Sequence, residues 1–252
     1  MRCPRLLLES EALAAGQSLS APQDRLHYAT TVLRLKSGAP CRVFDGHGNE
    51  FAATLELTDR RKGIFHLGGR AAAPTHPPFP IHLLQGVARG DHMDLAIQKA
   101  VELGVQSIRP VLCERSRSAA AHKGLDKRER HWLGIIQAAA EQCGRNELPR
   151  LHAPEPPERA LARIDHEALG LLADEGACGL DTHLTGSAPA AVALYIGPEG
   201  GLTPTEREQA LAGGFLGVGM GPRTLRTETA AVALITLVQA RLGDLAGQGN
   251  TD

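Results

Sequence analysis

From residue 81 onward, short apolar runs alternate with helical periodicities, and this alternation constrains the fold more than any other feature. IHLLQG (residues 81–86) reads as a strand entering a glycine. Residues 91–103 put Met93, Ile97, Ala100 and Val101 on one helical face, with Gly104 as the stop. SIRPVL (residues 107–112) is the next strand. A longer helix starts at Asp126, with Trp132, Ile135, Ile136, Ala139 and Cys143 on its apolar stripe and Gly144 at its end. The stripe makes Trp132 a core residue rather than a base-stacking one. Strands ALGLLA (residues 168–173) and AVALYI (residues 191–196) follow. Strands separated by helices cannot pair as tight hairpins, so an α/β fold with a mostly parallel sheet is expected.

The stretch before residue 81 follows another rule. RAAAPTHPPFP (residues 70–80) holds four prolines and three alanines without periodicity, the composition of a linker. Upstream of it, CRVF (residues 41–44), FAATLEL (residues 51–57) and GIFHLGG (residues 63–69) are short strands divided by the turn clusters DGHGNE and DRRK. A single helix is expected from Asp24 to Leu35, with Leu26, Ala29, Val32 and Leu33 sharing a face. The pattern is that of a small β-rich domain.

Totals exclude several classes. The chain has 252 residues, enough for one large domain or two modest ones. No apolar run approaches the ~18 residues of a membrane span, and MRCPRLLLESEALAAG lacks the apolar core of a signal peptide. The five cysteines (Cys3, Cys41, Cys113, Cys143, Cys178) are odd in number and scattered. Neither they nor the eleven histidines form a metal-ligand spacing, so a reduced, cytoplasmic protein without a metal is expected. Residues 1–80 hold ten Lys/Arg against seven Asp/Glu, net +3, and residues 81–252 hold seventeen against twenty-one, net −4. This permits nucleic-acid contact through the first third without demanding it.

Two loops carry the chemistry. The strand ending at Ile196 runs into Gly197-Pro198-Glu199-Gly200-Gly201. Thr203, Pro204 and Glu206 then fit N-cap, N1 and N3 of a helix, a capping box with the favoured proline. A strand over residues 216–220 leads into Gly221-Pro222-Arg223-Thr224-Leu225-Arg226-Thr227-Glu228, and a last helix runs from about Thr227 to Leu242. Glycines after buried strands let backbone groups approach a ligand, and helix N-termini add oriented donors. In open α/β sheets the ligand crevice lies at the carboxyl ends of the strands, where both loops sit. There is no P-loop and no nucleophile elbow. Gly217, Gly219 and Gly221 miss the dinucleotide fingerprint because the third glycine falls one residue early. The residues alone reach an adenine-type ligand and no further.

GDHMDLAIQKAVELGV (residues 90–105), ERS (114–116), AAEQCGR (139–145), IGPEGGLTPTE (196–206) and GPRTLRTETA (221–230) occur in that order. MRCPR, HYATTVLRLKSG (27–38) and FDGHG (44–48) precede them. With these motifs nearly the whole chain resembles the RsmE family of 16S ribosomal RNA uridine N3-methyltransferases, within the SPOUT superfamily of trefoil-knot enzymes. The resemblance implies a PUA-like RNA-binding β-barrel domain over residues 1–72, a linker over 73–80, a SPOUT methyltransferase domain over 81–246 ending in a trefoil knot, and a tail over 247–252. It implies a homodimer that takes S-adenosylmethionine as cofactor and 16S rRNA in the small ribosomal subunit as substrate. Cofactor-binding positions carried over are Leu172, Ala173, Ile196, Gly197, Glu199, Gly200, Gly201, Met220, Gly221, Leu225, Arg226, Thr229 and Ala230. Thr31 stands where the family usually has an arginine, which removes one phosphate contact.

N3 of uracil carries a proton on the Watson–Crick edge, so its methylation needs an unpaired base and either a general base or a stabiliser of the uracil anion. Arg226 is the candidate stabiliser, and Glu228 the candidate to orient it or to accept the proton. The alternative for Arg226 is an ion pair with Glu228 or Glu199 that only shapes the loop. Arg2, Arg5, Arg34, Arg89, Arg115 and Arg223 are candidate RNA contacts. Asp91 and Asp94 sit at a helix start and are expected to cap it. Two other classes compete: a nicotinamide oxidoreductase, which would bind NAD(H), and an RNA-binding protein without catalysis.

Overall fold

Strand β1 (Arg5–Leu7), strand β2 (Ser18–Ser20), helix α1 (Gln23–His27), strand β3 (Ala39–Phe44), strand β4 (Glu50–Asp59) and strand β5 (Lys62–Arg70) form the first part of the chain. The computed structural model describes residues 3–8, 13–71, 78–116, 124–184 and 189–246. Two units are present: Met1–Thr75 with Gln137–Leu148, and His76–Ile136 with Pro149–Asp252.

In the first unit the strand order is β1-β3-β4-β5-β2, with β1 parallel to β3 and the other pairs antiparallel. In β4, Phe51, Ala53 and Leu55 are buried while Ala52, Thr54 and Glu56 are exposed, the period-two pattern of a sheet with one wet face. The buried side packs with Leu6, Val43, Phe65 and Leu26. The expected helix over Asp24–Leu35 is interrupted. After α1 the residues Tyr28–Val32 make one wider, π-helical turn, with Leu33 N–H bonded to Tyr28 O at 3.1 Å. Thr30 Oγ1 donates to Leu26 O at 2.8 Å, a hydroxyl competing inside the backbone ladder, and Arg34 at φ 54° ends the turn.

The second unit starts with strand β6 (Ile81–Gly86), helix α2 (Gly90–Glu102) and strand β7 (Ser107–Val111). Helix α3 (Leu125–Cys143) begins in this unit, and strand β8 (Arg150–Leu151), helix α4 (Pro157–Ala162) and strand β9 (Leu169–Ala173) follow. The chain continues with strand β10 (Val192–Ile196), helix α5 (Pro204–Ala212), strand β11 (Leu216–Val218) and helix α6 (Thr227–Leu242). The six strands are all parallel, in the order β11-β9-β10-β6-β7-β8. Every residue of β10 is buried, as expected of a strand covered on both faces. Tyr195, Ala193, Leu84 and Leu172 share a cluster with Ala160 of α4 and Ala210 of α5. The alternate positions Leu83, Leu194 and Leu171 are also fully buried, and α6 packs against α2 and β10. Trp132 is 2% exposed, the core role read for it. Among the described residues no helix is long and apolar enough to cross a membrane.

Strand β11 stops two residues before its expected end at Met220. Gly219 N–H bonds Cys178 O at 2.8 Å, and a Cβ on Gly219 would fall on the Ala177 carbonyl. Gly217 similarly abuts Asp174, where a Cβ would lie 2.9 Å from Oδ2. Gly217 and Gly219 therefore pack the edge strand and its end against the segment after β9.

Candidate active site

Because β11, β9 and β10 are parallel neighbours, their carboxyl ends lie side by side, and the segments after all three meet around a cavity of about 650 Å3. Of the expected cofactor positions, Leu172, Ala173, Ile196, Gly197, Glu199, Gly200, Gly201, Met220, Gly221, Leu225, Arg226 and Ala230 line it. Thr229 does not; it is exposed on the first turn of α6, turned away from the wall. Glu228, Arg115, Arg223, His92, Asp174 and Thr227 also line the cavity.

The loop after β10 is held from several sides. Thr203 and Glu206 form the expected capping box: Thr203 N–H donates to Glu206 Oε2 at 2.8 Å and Glu206 N–H to Thr203 Oγ1 at 3.2 Å. Glu206 Oε1 accepts from Glu114 N–H at 2.8 Å, and the Arg115 guanidinium donates to the carbonyls of Gly200 and Leu202 at 3.2 Å each. Thr227 Oγ1 donates to Gly197 O at 2.6 Å and accepts from Gln85 Nε2 at 2.8 Å. At the end of β6 only glycine fits: a Cβ on Gly86 would lie 2.5 Å from Pro198 N. Glu199 Oε1 accepts from Arg89 N–H at 2.7 Å.

Arg226 and Glu228 flank the start of α6. The Arg226 side chain is exposed at the cavity wall, and among the described residues it pairs with neither Glu228 nor Glu199. The shaping ion pair is thus absent, and so is the expected orientation of Arg226 by Glu228. Glu228 is 7% exposed, with Oε1 3.0 Å from His92 Nδ1 and a buried Oε2 that has no hydrogen-bond partner. His92 was not a sequence candidate. Its only signal was its place inside GDHMD, and the first turn of α2 carries it to the cavity.

The arginines divide. Arg5 is a correction: it cannot serve as an RNA contact, because its guanidinium is buried, forms a two-point pair with Glu50 at 3.0 Å, and donates to Ala140 O and Arg145 O at 2.7 and 2.9 Å. Arg2 lies outside the described residues. Arg34 and Arg89 are exposed, while Arg115 and Arg223 are exposed on the cavity wall. Asp91 lies in the first turn of α2, where its charge suits the helix dipole, but neither Asp91 nor Asp94 is a side-chain cap. The N-cap of α2 is Arg89 without a side-chain cap, and Asp94 Oδ2 sits 2.7 Å from His131 Nε2.

Other ionisable groups near the sheet are poorly suited to proton transfer. Burial pushes the Cys113 thiol up to about 12, and burial likewise raises the Tyr195 hydroxyl far above its ordinary value. Asp174 is occupied by the Arg207 guanidinium at 2.6 Å. Among the described residues no three His, Cys, Asp or Glu side chains gather as metal ligands. Glu228 is the buried carboxylate at the cavity with an oxygen free to accept, and Arg226 stands two residues from it on the cavity wall.

Comparison with known proteins agrees with this geometry. Residues 75–239 match an RNA methyltransferase domain and residues 22–67 an RNA methyltransferase PUA domain. The ribosomal RNA small subunit methyltransferase E of Buchnera aphidicola (subsp. Schizaphis graminum) is 31% identical, over 97% of this chain and 98% of its own length. A crystal structure of ribosomal RNA small subunit methyltransferase E from Neisseria gonorrhoeae, bound to S-adenosyl methionine, superposes with a TM-score of 0.87 at 34% identity, covering 96% of this chain and 99% of that one. A methyltransferase from Legionella pneumophila in complex with the cofactor SAM gives a TM-score of 0.90 at 32% identity, over 97% and 100% of the two chains. The chain belongs to the RNA methyltransferase domain family, among the ribosomal RNA small subunit methyltransferase E proteins.

Proposed function

We propose that this protein methylates N3 of a uridine in the 16S RNA of the small ribosomal subunit, with S-adenosylmethionine as methyl donor. The observation that carries the reading is the cavity where three adjacent parallel strands end, walled by two glycine-rich loops and by one buried carboxylate with an unpartnered oxygen. The cavity fits the cofactor: about 650 Å3 lies within the range of small-molecule sites, and the loops offer mainly backbone groups. Leu172, Ala173, Ile196, Gly197, Gly200, Gly201, Met220, Gly221, Leu225 and Ala230 would hold it. The bound cofactor supplies a methyl carbon made electrophilic by the neighbouring sulfonium, whose sulfur keeps the electron pair of the broken bond.

Glu228 is assigned the N3 proton, and Arg226 the developing negative charge on the uracil ring. Holding N3 in line with the methyl carbon supplies much of the remaining acceleration. The base must be unpaired or turned out of its stack to enter. Arg89, Arg115 and Arg223 are assigned to phosphates at the cavity, and Arg34 to RNA held by the PUA-like first domain, residues 1–72. The protein is proposed to act as a cytoplasmic homodimer. A trefoil knot at the end of the second domain, residues 81–246, is supported by the path of the chain: it adds β11 at the sheet edge and returns so that Thr227 reaches Gly197 O.

Titration calorimetry tests the cofactor assignment. Binding of S-adenosylmethionine and no binding of NADH is expected; the reverse contradicts it. Arg226→Ala is expected to keep cofactor affinity and lower turnover by about 100-fold or more, the range of a removed charge stabiliser. Unchanged turnover would remove Arg226 from the chemistry.

A further inference from the structure

His92 and Glu228 meet from distant parts of the chain. His92 lies on the first turn of α2 and Glu228 on the first turn of α6, and the two helices pack together. His92 Nδ1 is 3.0 Å from Glu228 Oε1. Both residues line the cavity, His92 with a side chain 36% exposed and Glu228 with one 9% exposed. The second oxygen, Oε2, is buried and without a partner. Arg226, two residues away, does not pair with the carboxylate. A glutamate at a helix start turns about several bonds, so a ring lying against one carboxylate oxygen limits where the group can point.

We propose that His92 is a positioning residue for the methyl transfer: its imidazole, with Nδ1 3.0 Å from Glu228 Oε1, holds in place the carboxylate that receives the uracil N3 proton. The inference rests on the reading of Glu228 as the proton acceptor. In the step, the N3–H bond breaks, the proton forms an O–H bond on the Glu228 carboxylate, and the electron pair stays on N3 to take the methyl carbon.

A purely structural pin between α2 and α6 would use the same contact, so the test separates the two. His92→Phe keeps a ring and removes the donor; His92→Asn replaces the ring by a side-chain amide that retains an N–H. Each is assayed beside the wild type for methyl transfer to small ribosomal subunits, with cofactor affinity measured by calorimetry. The expectation for His92→Phe is a kcat about 10- to 100-fold lower, with cofactor Kd and RNA KM within about threefold of wild type. His92→Asn is expected to recover at least tenfold of a hundredfold loss, or most of a smaller one. An unchanged kcat in His92→Phe overturns the inference. So does a loss that falls on cofactor affinity, or one equal in both variants, including common failure to fold. Wild type that transfers no methyl group to the RNA overturns the reading of the site itself, and this inference with it. A wild type that turns over beside an unaffected His92→Phe overturns the inference alone.

Discussion

Gln85 Nε2, at the end of β6, donates to Thr227 Oγ1, at the first turn of α6, across 2.8 Å. The same hydroxyl donates to Gly197 O, so one small side chain ties together a strand end, a cofactor-loop carbonyl and a helix start. Gln85 is fully buried, and its Oε1 has no partner, so it cannot turn to satisfy itself elsewhere. Thr227→Val keeps the shape and orphans a donor and an acceptor. Urea denaturation is expected to show a loss of about 1–3 kcal/mol, with cofactor affinity down about tenfold. Stability and affinity both at the wild-type level would show that the hydroxyl is not the tie.

Gly86 should tolerate no side chain. A Cβ there would lie 2.5 Å from the backbone nitrogen of Pro198, which belongs to the cavity wall and cannot move without deforming the loop. Gly86→Ala is expected to weaken S-adenosylmethionine at least tenfold in calorimetry. Gly69→Ala is the control, since nothing lies within 4 Å of that position, and its stability should stay within about 0.5 kcal/mol of wild type.

The burial of Arg5 separates a structural from an RNA-binding role. Its side chain is 7% exposed and that of Glu50 4%, so removing the cation strands a buried carboxylate. Arg5→Met is expected to cost toward the low end of about 3–5 kcal/mol, because Arg42 still reaches Glu50 at 3.4 Å. Thermal melts read the loss, and RNA affinity of the folded fraction should be unchanged. A stable variant with weakened RNA binding would return Arg5 to the RNA contacts.

Acid should destabilise the second unit through two histidines. Burial, then the guanidiniums of Arg109 and Arg150, holds His152 near 4 against an ordinary 6.5; Glu155 opposes this and His82 adds to it. Burial and Arg109 also lower His82, which hydrogen-bonds Ser107 at 2.8 Å. The unfolded chain therefore takes up these protons first as pH falls. Stability from this source is full above about pH 6.5 and is lost as pH drops from there toward about 4. His152→Gln should lose less stability than wild type between pH 7.5 and 4.5 in denaturant titrations; an equal loss would place the acid sensitivity elsewhere.

What could be read from residues was local. The strand, glycine loop and capping box around residues 192–206 are neighbours in sequence, and each step of the pattern has a short-range cause. Helix α6 began at Thr227 and ended at Leu242 as its apolar repeat implies. What could not be read depends on distant partners. Arg5 meets Glu50 only because β1 pairs with β3 and β3 with β4. His92 meets Glu228 only because α2 packs on α6. The contribution of Gln137–Leu148 to the first unit has no local signature, since the helical periodicity runs past the boundary unbroken. The break after α1 came from Thr30, whose hydroxyl competes with the ladder in a way periodicity does not register.

The most direct test is to incubate small ribosomal subunits lacking the modification with the protein and S-adenosylmethionine labelled in its methyl group, digest the RNA and identify the labelled nucleoside by mass spectrometry. N3-methyluridine at one position of 16S RNA, in amounts that rise to one per subunit, is the predicted result. Label on another base, on the ribose, or on no RNA at all would contradict the account.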